Sequence, residues 1–443
     1  MRKAKLTALF AVLALTGCVS MSPIYERPEA PVAQDWPAGP AYEKAILNQN
    51  ALPDWQTYYT DARLREVISL MLENNRDLRV ALLNVEKVRQ AYNIQRSAYL
   101  PSIAATGSGA HARTPETLSS TGTAVVSHTY TANLAMSSYE IDLFGRIKSL
   151  SDQALNEYLA TVQAQRASRA SMIAQTANVW LTLGADESLL AFAKETLDTQ
   201  EKTFNLMKAS YKAGGISLLN LNQAQTMLSS AKAAYATALR AVAQDKNALT
   251  LLVGAPVDEK LLPKEVSVVT LRGSLPKGAP SEVLLNRPDI AQAEYQLKAA
   301  NANIGAARAN FFPRISLVGS YGTGSRELKD LFDSGTNVWS FTPSVSLPIF
   351  TGGANIATLR VSEANRDIAL ANYEKAIQSA FREVADALAA EGTVEETLKA
   401  YEELAKASGE AYRLARIRYK EGAESLLVLL DTQRSYVSAR SGL

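Results

Sequence analysis

The one cysteine and the two histidines are where covalent or metal chemistry in this chain would have to begin. Cys18 closes the run Leu15-Thr16-Gly17-Cys18, behind the basic residues Arg2, Lys3 and Lys5 and the mostly apolar stretch from Leu6 to Leu15. Basic, apolar and then small residues is the order of a secretory leader. A cysteine at the cleavage point puts a thiol there, which opens a reading beyond plain secretion for Cys18. The plain alternative is a secretory leader with an incidental cysteine. His111 and His128 belong to no HExxH pattern, and there is neither a Walker loop nor a cysteine pair. The glycines at Gly319, Gly322 and Gly324, and at Gly352-Gly353, lack the strand-to-helix setting of a phosphate cradle and read as backbone devices. No catalytic constellation and no cofactor stand out.

The leader resembles a bacterial lipoprotein signal, which implies that Cys18 becomes the acylated first residue of the mature protein and carries a covalent lipid. Val19 is not an acidic retention residue, which in such lipoproteins implies delivery to the outer membrane of a Gram-negative cell, and several acyl chains anchor where one would not. Over 443 residues, 47% hydrophobic and 20% charged residues are enough for a sizeable core and too apolar for disorder. The formal charge of +2 becomes −1 once Arg2, Lys3 and Lys5 leave with the leader, so nothing points to nucleic acid. Past the leader no run of about 18 uncharged apolar residues occurs. A chain of this kind that spans a membrane must do so as a β-barrel.

A strand long enough for that is present. From Asn337 to Phe350 the sequence alternates: Trp339, Phe341, Pro343, Val345, Leu347 and Ile349 fall on one side, and Ser340, Thr342, Ser344 and Ser346 on the other. At ~3.3 Å per residue it reaches ~40 Å, enough to cross a bilayer at a tilt.

The chain also repeats itself. Asp77 to Gly107 aligns without a gap on Asp289 to Gly319, with Asp77/Asp289, Arg96/Arg308, Tyr99/Phe311, Pro101/Pro313 and Ile103/Ile315 at a constant offset of 212. Phe144-Gly145 then matches Phe350 and the glycines after it. Tyr211-Lys212-Ala213-Gly214-Gly215-Ile216-Ser217 matches Tyr419-Lys420-Glu421-Gly422-Ala423-Glu424-Ser425, and Gln225 matches Gln433. Three blocks in one order mark a duplication.

Each copy reads helix, strand, strand, long helix, tight turn, helix. The chain divides into a leader over 1–17, an acylated tether over 18–60, a first repeat over 61–254, an equatorial linker over 255–286 and a second repeat over 287–443. Strands are predicted over 102–112 and 129–143 in the first copy and over 314–324 and 338–349 in the second. One helix is predicted over 61–98, ended by Pro101. Each strand pair is followed by a proline-free helix of roughly 65 residues, a rod of ~100 Å. Their Ala, Ser, Gln and Asn content, as in Gln163 to Asn178, suits helices that pack on both neighbours and keep one face wet. The last helix is short beside its counterpart in the first copy. Four strands cannot close a barrel whose smallest versions have about eight, and an open edge in lipid is too costly to leave. The chain must join copies of itself; three would supply twelve strands, and two or four also satisfy the count.

The duplicated plan, Ile141-Asp142-Leu143-Phe144-Gly145 at a strand-to-helix joint, Arg287-Pro288-Asp289-Ile290 opening a helix, and the Tyr-x-x-Gly turns resemble the TolC superfamily over essentially the whole chain. With the leader, Glu26-Arg27-Pro28 and Asn74-Asn75-Arg76-Asp77-Leu78-Arg79, the likeness is closest to the OprM-like (NodT family) outer-membrane lipoproteins of multidrug efflux pumps. That resemblance implies a mixed α/β membrane protein, mostly α: a homotrimer with a twelve-stranded outer-membrane β-barrel continued by a periplasmic α-helical barrel. It also implies a periplasmic adaptor and an inner-membrane RND transporter as partners, and passive export of drugs and small toxic compounds. Family members close the tube near the turns at Gly214 and Gly422, with acidic rings and Tyr/Arg contacts between helices. Asp431 matches the ring position, and Arg418-Tyr419 the contact position. Three aspartates around a narrow axis would repel anions and attract cations. The bland alternative is that Asp431 is a solvated helix residue and that Arg413, Arg416, Arg418 and Lys420 complement a helix C-terminus. Asn220 departs from the family, standing where many members are acidic. Gly214-Gly215 and Gly422-Ala423 should receive the hairpin tips of the adaptor, since small residues permit close backbone approach. Two other readings remain: the outer-membrane duct of a type I secretion system, and a pore-less periplasmic coiled-coil lipoprotein.

Overall fold

The computed structural model describes residues 20–42, 47–48, 54–265, 275–276, 284 and 286–443. Cys18 and the leader lie outside these residues. The chain forms two compact units: the first takes residues 1–30, 83–164 and 288–376, and the second 31–82, 165–287 and 377–443. The units do not follow the two repeats, since each draws on both.

The first unit carries the sheet. Strands β1 (Ser102–Thr114), β2 (Val125–Ile141), β3 (Arg314–Ser325) and β4 (Asn337–Ser346) lie in that order, all antiparallel. Register fixes two faces. Ile103, Leu134, Met136, Tyr321, Trp339, Phe341 and Val345 share one. On the other, serine hydroxyls bond across strands, Ser316 to Ser344 at 2.7 Å and Ser320 to Ser340 at 2.8 Å. The apolar face is bare in the single chain, with Trp339 75% and Phe341 60% exposed. Strand β2 holds one residue too many between Met136 and Tyr139, where Ser138 takes a φ of 33°. This bulge turns Tyr139 and Ile141 to the apolar side, and Glu140 to the polar side beside Ser316.

The second and last strands differ most from the sequence reading. Alternation suggested a last strand running to 349, but pairing stops at Ser346, because Pro348 has no N–H to give a ladder. The second strand begins at Val125 rather than 129 and ends at Ile141 rather than 143.

The second unit is built on helices. The single helix expected over 61–98 is two, α1 (Ala62–Asn74) and α2 (Arg76–Ser97). Asn75 breaks the run: its extended backbone ends α1, its side-chain oxygen accepts from the Leu78 N–H at 2.9 Å, and its Nδ2 donates to the Leu252 carbonyl at 2.6 Å. Leu64, Val67, Ile68 and Met71 of α1 are fully buried against Trp180 and Leu183 of α3 (Arg146–Lys212) and Leu249 and Val253 of α4 (Leu218–Val253). The Trp180 indole N–H donates to the Leu261 carbonyl at 2.9 Å, which satisfies the one polar atom of the largest core side chain. The second copy supplies α5 (Pro288–Ala309), α6 (Ala354–Lys420) and α7 (Leu426–Gly442). No helix among the described residues is long and apolar enough to cross a membrane.

The tether, over residues 20–42, forms neither helix nor strand and closes in a turn where the Tyr42 N–H bonds the Gly39 carbonyl. In the first unit Ser22 donates to the Ala302 carbonyl, and the Asn301 amide to the Pro23 carbonyl, at 3.2 and 2.8 Å. Tyr25 and Arg27 both bond the carboxylate of Glu294, which Lys298 also reaches at 2.9 Å. In the second unit Trp36 stacks on Phe381 with ring centroids 5.1 Å apart.

Candidate functional site

Two helix-to-helix turns, 208 residues apart in sequence, have the same backbone. Helix α3 ends with Gly214 in the left-handed region, φ 77°; its N–H bonds the Tyr211 carbonyl, and the Gly215 N–H bonds Ser210, at 2.9 and 2.8 Å. Helix α6 ends with Gly422 at φ 72°, bonded to Tyr419, and Ala423 bonded to Arg418, at 3.1 and 2.8 Å. This is the double closure of a Schellman motif, and it needs glycine at only one position, which is why Ala423 can replace Gly215. Ser217 and Ser425 then cap the returning helices through Asn220 and Val428. The space beside Gly214 and Gly422 is open.

Behind the turns, Met207 and Ala224 pack with Ala415, Leu426, Leu429 and Leu430, all buried, with Phe204, Tyr412 and Tyr419 around them. The structure places the three gate candidates close in sequence but in separate contacts. Tyr419 directs its hydroxyl at the sulfur of Met207, 3.7 Å away on α3. Arg418 folds over its own turn, bonding Glu424 at 3.2 Å and the Ala423 carbonyl at 3.4 Å. Asp431 meets neither; it pairs at 2.6 Å with Arg434, one turn along α7. Its side chain stays 57% exposed, so the pair is a solvated one. Sequence reasoning missed Met207, Glu424 and Arg434. Arg434 stood at the i+3 position and could have been found, whereas Met207 gave no local signal.

A second charged cluster lies where the sheet meets its helices. Glu140 takes two bonds from Arg146, at 2.8 and 2.7 Å, and lies 3.4 Å from Arg314. Asp142 accepts from the Lys148 N–H at 2.8 Å, one of the first-turn donors of α3 that have no intrahelical carbonyl. Glu140, Asp142, Arg146 and Arg314, with Phe312 and Asn355, line a cavity of about 260 Å³. Among the described residues no three His, Cys, Asp or Glu side chains converge to hold a metal.

A family model described as outer membrane efflux protein matches residues 67–255 and 279–443. The probable efflux pump outer membrane protein TtgC of Pseudomonas putida is 44% identical over 446 residues, 100% of this chain and 92% of the relative. Among solved structures, a membrane protein from Pseudomonas aeruginosa matches with a TM-score of 0.89 at 42% identity, covering 96% of this chain and 95% of that one. The open state of the Neisseria gonorrhoeae MtrE outer membrane channel matches at 0.81 and 41%, over 96% and 94%.

Proposed function

Because the chain belongs to the outer membrane efflux protein family, we propose that it is the outer-membrane exit duct of a tripartite RND-type multidrug efflux pump in a Gram-negative bacterium. It carries drugs and small toxic compounds passively outward. The observation that carries this reading is the four-stranded sheet, whose apolar face is bare and whose outer strands β1 and β4 each have one neighbour. Such a sheet in lipid must close on further copies, and three copies give a twelve-stranded barrel. Helix α2 supports assembly as well: it exposes Val80, Leu82, Leu83 and Ile94, whereas its counterpart α5 is buried along its length.

Within this duct, Cys18 carries the lipid anchor, the turns at Gly214-Gly215 and Gly422-Ala423 receive the periplasmic adaptor, and Asp431, Tyr419 and Arg418 form the gate. Open space at both glycines and the exposed Asp431 carboxylate support those assignments. The test is native mass spectrometry of the detergent-extracted, lipidated particle, followed by conductance in planar bilayers. A trimer with single-channel steps is expected. A monomer that stays soluble without detergent, or a particle that never conducts, overturns the reading.

A further inference from the structure

The two histidines of the chain face each other. His111 of β1 and His128 of β2 are register partners, three residues inside the end of the hairpin, where β1 stops at Thr114 and β2 starts at Val125. They lie on the face that carries Tyr130, Leu134 and Met136, and both are exposed. Their Nδ1 atoms are 2.5 Å apart, with rings at 70° and centroids at 4.7 Å. The Tyr130 hydroxyl lies 3.4 Å from Nε2 of His111, with the two rings edge to face at 5.5 Å.

Two imidazole nitrogens that converge on one point need a bridge between them. An N–H···N hydrogen bond between the rings is one answer, a metal ion bound by both lone pairs the other. Bonds of about 2.0–2.1 Å from nitrogen to metal need the rings to part by only about 1 Å, which two exposed side chains on a two-stranded hairpin can do. With Nε2–H of His111 donating to the Tyr130 oxygen, the lone pair of that ring sits on Nδ1, aimed at His128; this is the outer hydrogen bond that ligating histidines characteristically make. Imidazole donors suit zinc, copper and nickel. Among the described residues no acidic or thiol side chain completes a third position, so water or a phosphate oxygen fills the rest of the coordination sphere. Arg113, two residues along the same strand on the same face, keeps the affinity modest.

We propose that His111 and His128 form a cross-strand binding site for a divalent transition-metal ion, Zn²⁺, Cu²⁺ or Ni²⁺, with Tyr130 as its positioning residue. The test uses tag-free, detergent-extracted full-length protein titrated with Cu²⁺ and read by electron paramagnetic resonance, with Zn²⁺ calorimetry alongside. One Cu²⁺ per chain with two coupled nitrogens is expected. His111→Gln and His128→Gln should each weaken binding at least about tenfold, and Tyr130→Phe by about tenfold while keeping the two-nitrogen signal. No bound ion at millimolar Cu²⁺, a spectrum without two nitrogens, or unchanged binding in either histidine variant overturns the proposal. The wild-type spectrum decides even if a variant fails to assemble, and no transport is measured, so failure here leaves the exit-duct reading untouched.

Discussion

At the scale of single residues, charge balance decides what the gate candidates do. Asp431 is partly offset by Arg434 at 2.6 Å, so the proposed ring of three would be weaker than three bare carboxylates. Asp431→Ala should raise the resting conductance in planar bilayers and lower cation preference. Arg434→Gln should shift selectivity the other way, toward cations. Unchanged conductance in Asp431→Ala would remove that residue from the gate. A different balance holds between α3 and α4, where Asp245 lies against Asp186 with its Oδ2 buried and unpaired. Burial first, then the neighbouring Asp186 carboxyl, hold Asp245 above the ordinary carboxylate range. A raised acid stabilises the fold when protonated, and that contribution is lost as pH rises through the folded value. Asp245→Asn should therefore raise the melting temperature by a few degrees at pH 7 and leave it unchanged near pH 3; equal effects at both would sink the assignment. Asp431, Arg418 and Tyr419 were singled out through the family resemblance, which names positions but not the contacts with Arg434, Glu424 and Met207 that they make. Asp245 was not, because nothing in the local sequence says that Asp186 faces it from another helix.

At the scale of elements, backbone conformation does what side chains cannot. Gly422→Ala places a Cβ in the left-handed region and should cost about 1–2 kcal/mol, whereas Ala423→Gly should cost only a few tenths. Amide hydrogen exchange at the α6–α7 turn distinguishes them, and equal protection would contradict the Schellman assignment. Asn75→Ala removes the cap of α2 and the bond to Leu252 and should cost about 2 kcal/mol. The long rods were readable end to end from proline-free periodicity. The break at Asn75 was not, because the apolar pattern continues through it and only the two side-chain bonds reveal the stop. In the same way, alternation ran past Ser346, since side-chain periodicity does not register the hydrogen bond that Pro348 withholds.

At the scale of the whole molecule, the duplication accounts for the plan, and the departures from it come from long-range partners. Helix α5 is buried where its counterpart is bare, and the tether explains part of that by fixing Tyr25 and Arg27 on Glu294. Burial pushes the Glu294 carboxyl up, but hydrogen bonds from Arg27 and Lys298 outweigh it and hold the group below its ordinary value. Its stabilising share is complete above the unfolded value of about 4.3 and is lost as pH falls through the lower folded one. Amides of residues 21–27 should exchange faster in Glu294→Gln at pH 7, and in the wild type only in acid; slow exchange in the variant would show that the strap does not depend on this carboxylate. The bulge at Ser138 is the other departure, and it bears on how this gene can change length. Losing the Ser138 codon would close the bulge and leave both halves of β2 in phase with β3. Losing any one codon between Val126 and Ala135 would instead invert every residue on one side of the gap. An alignment of this strand should therefore tolerate a one-residue gap at that serine and reject it elsewhere.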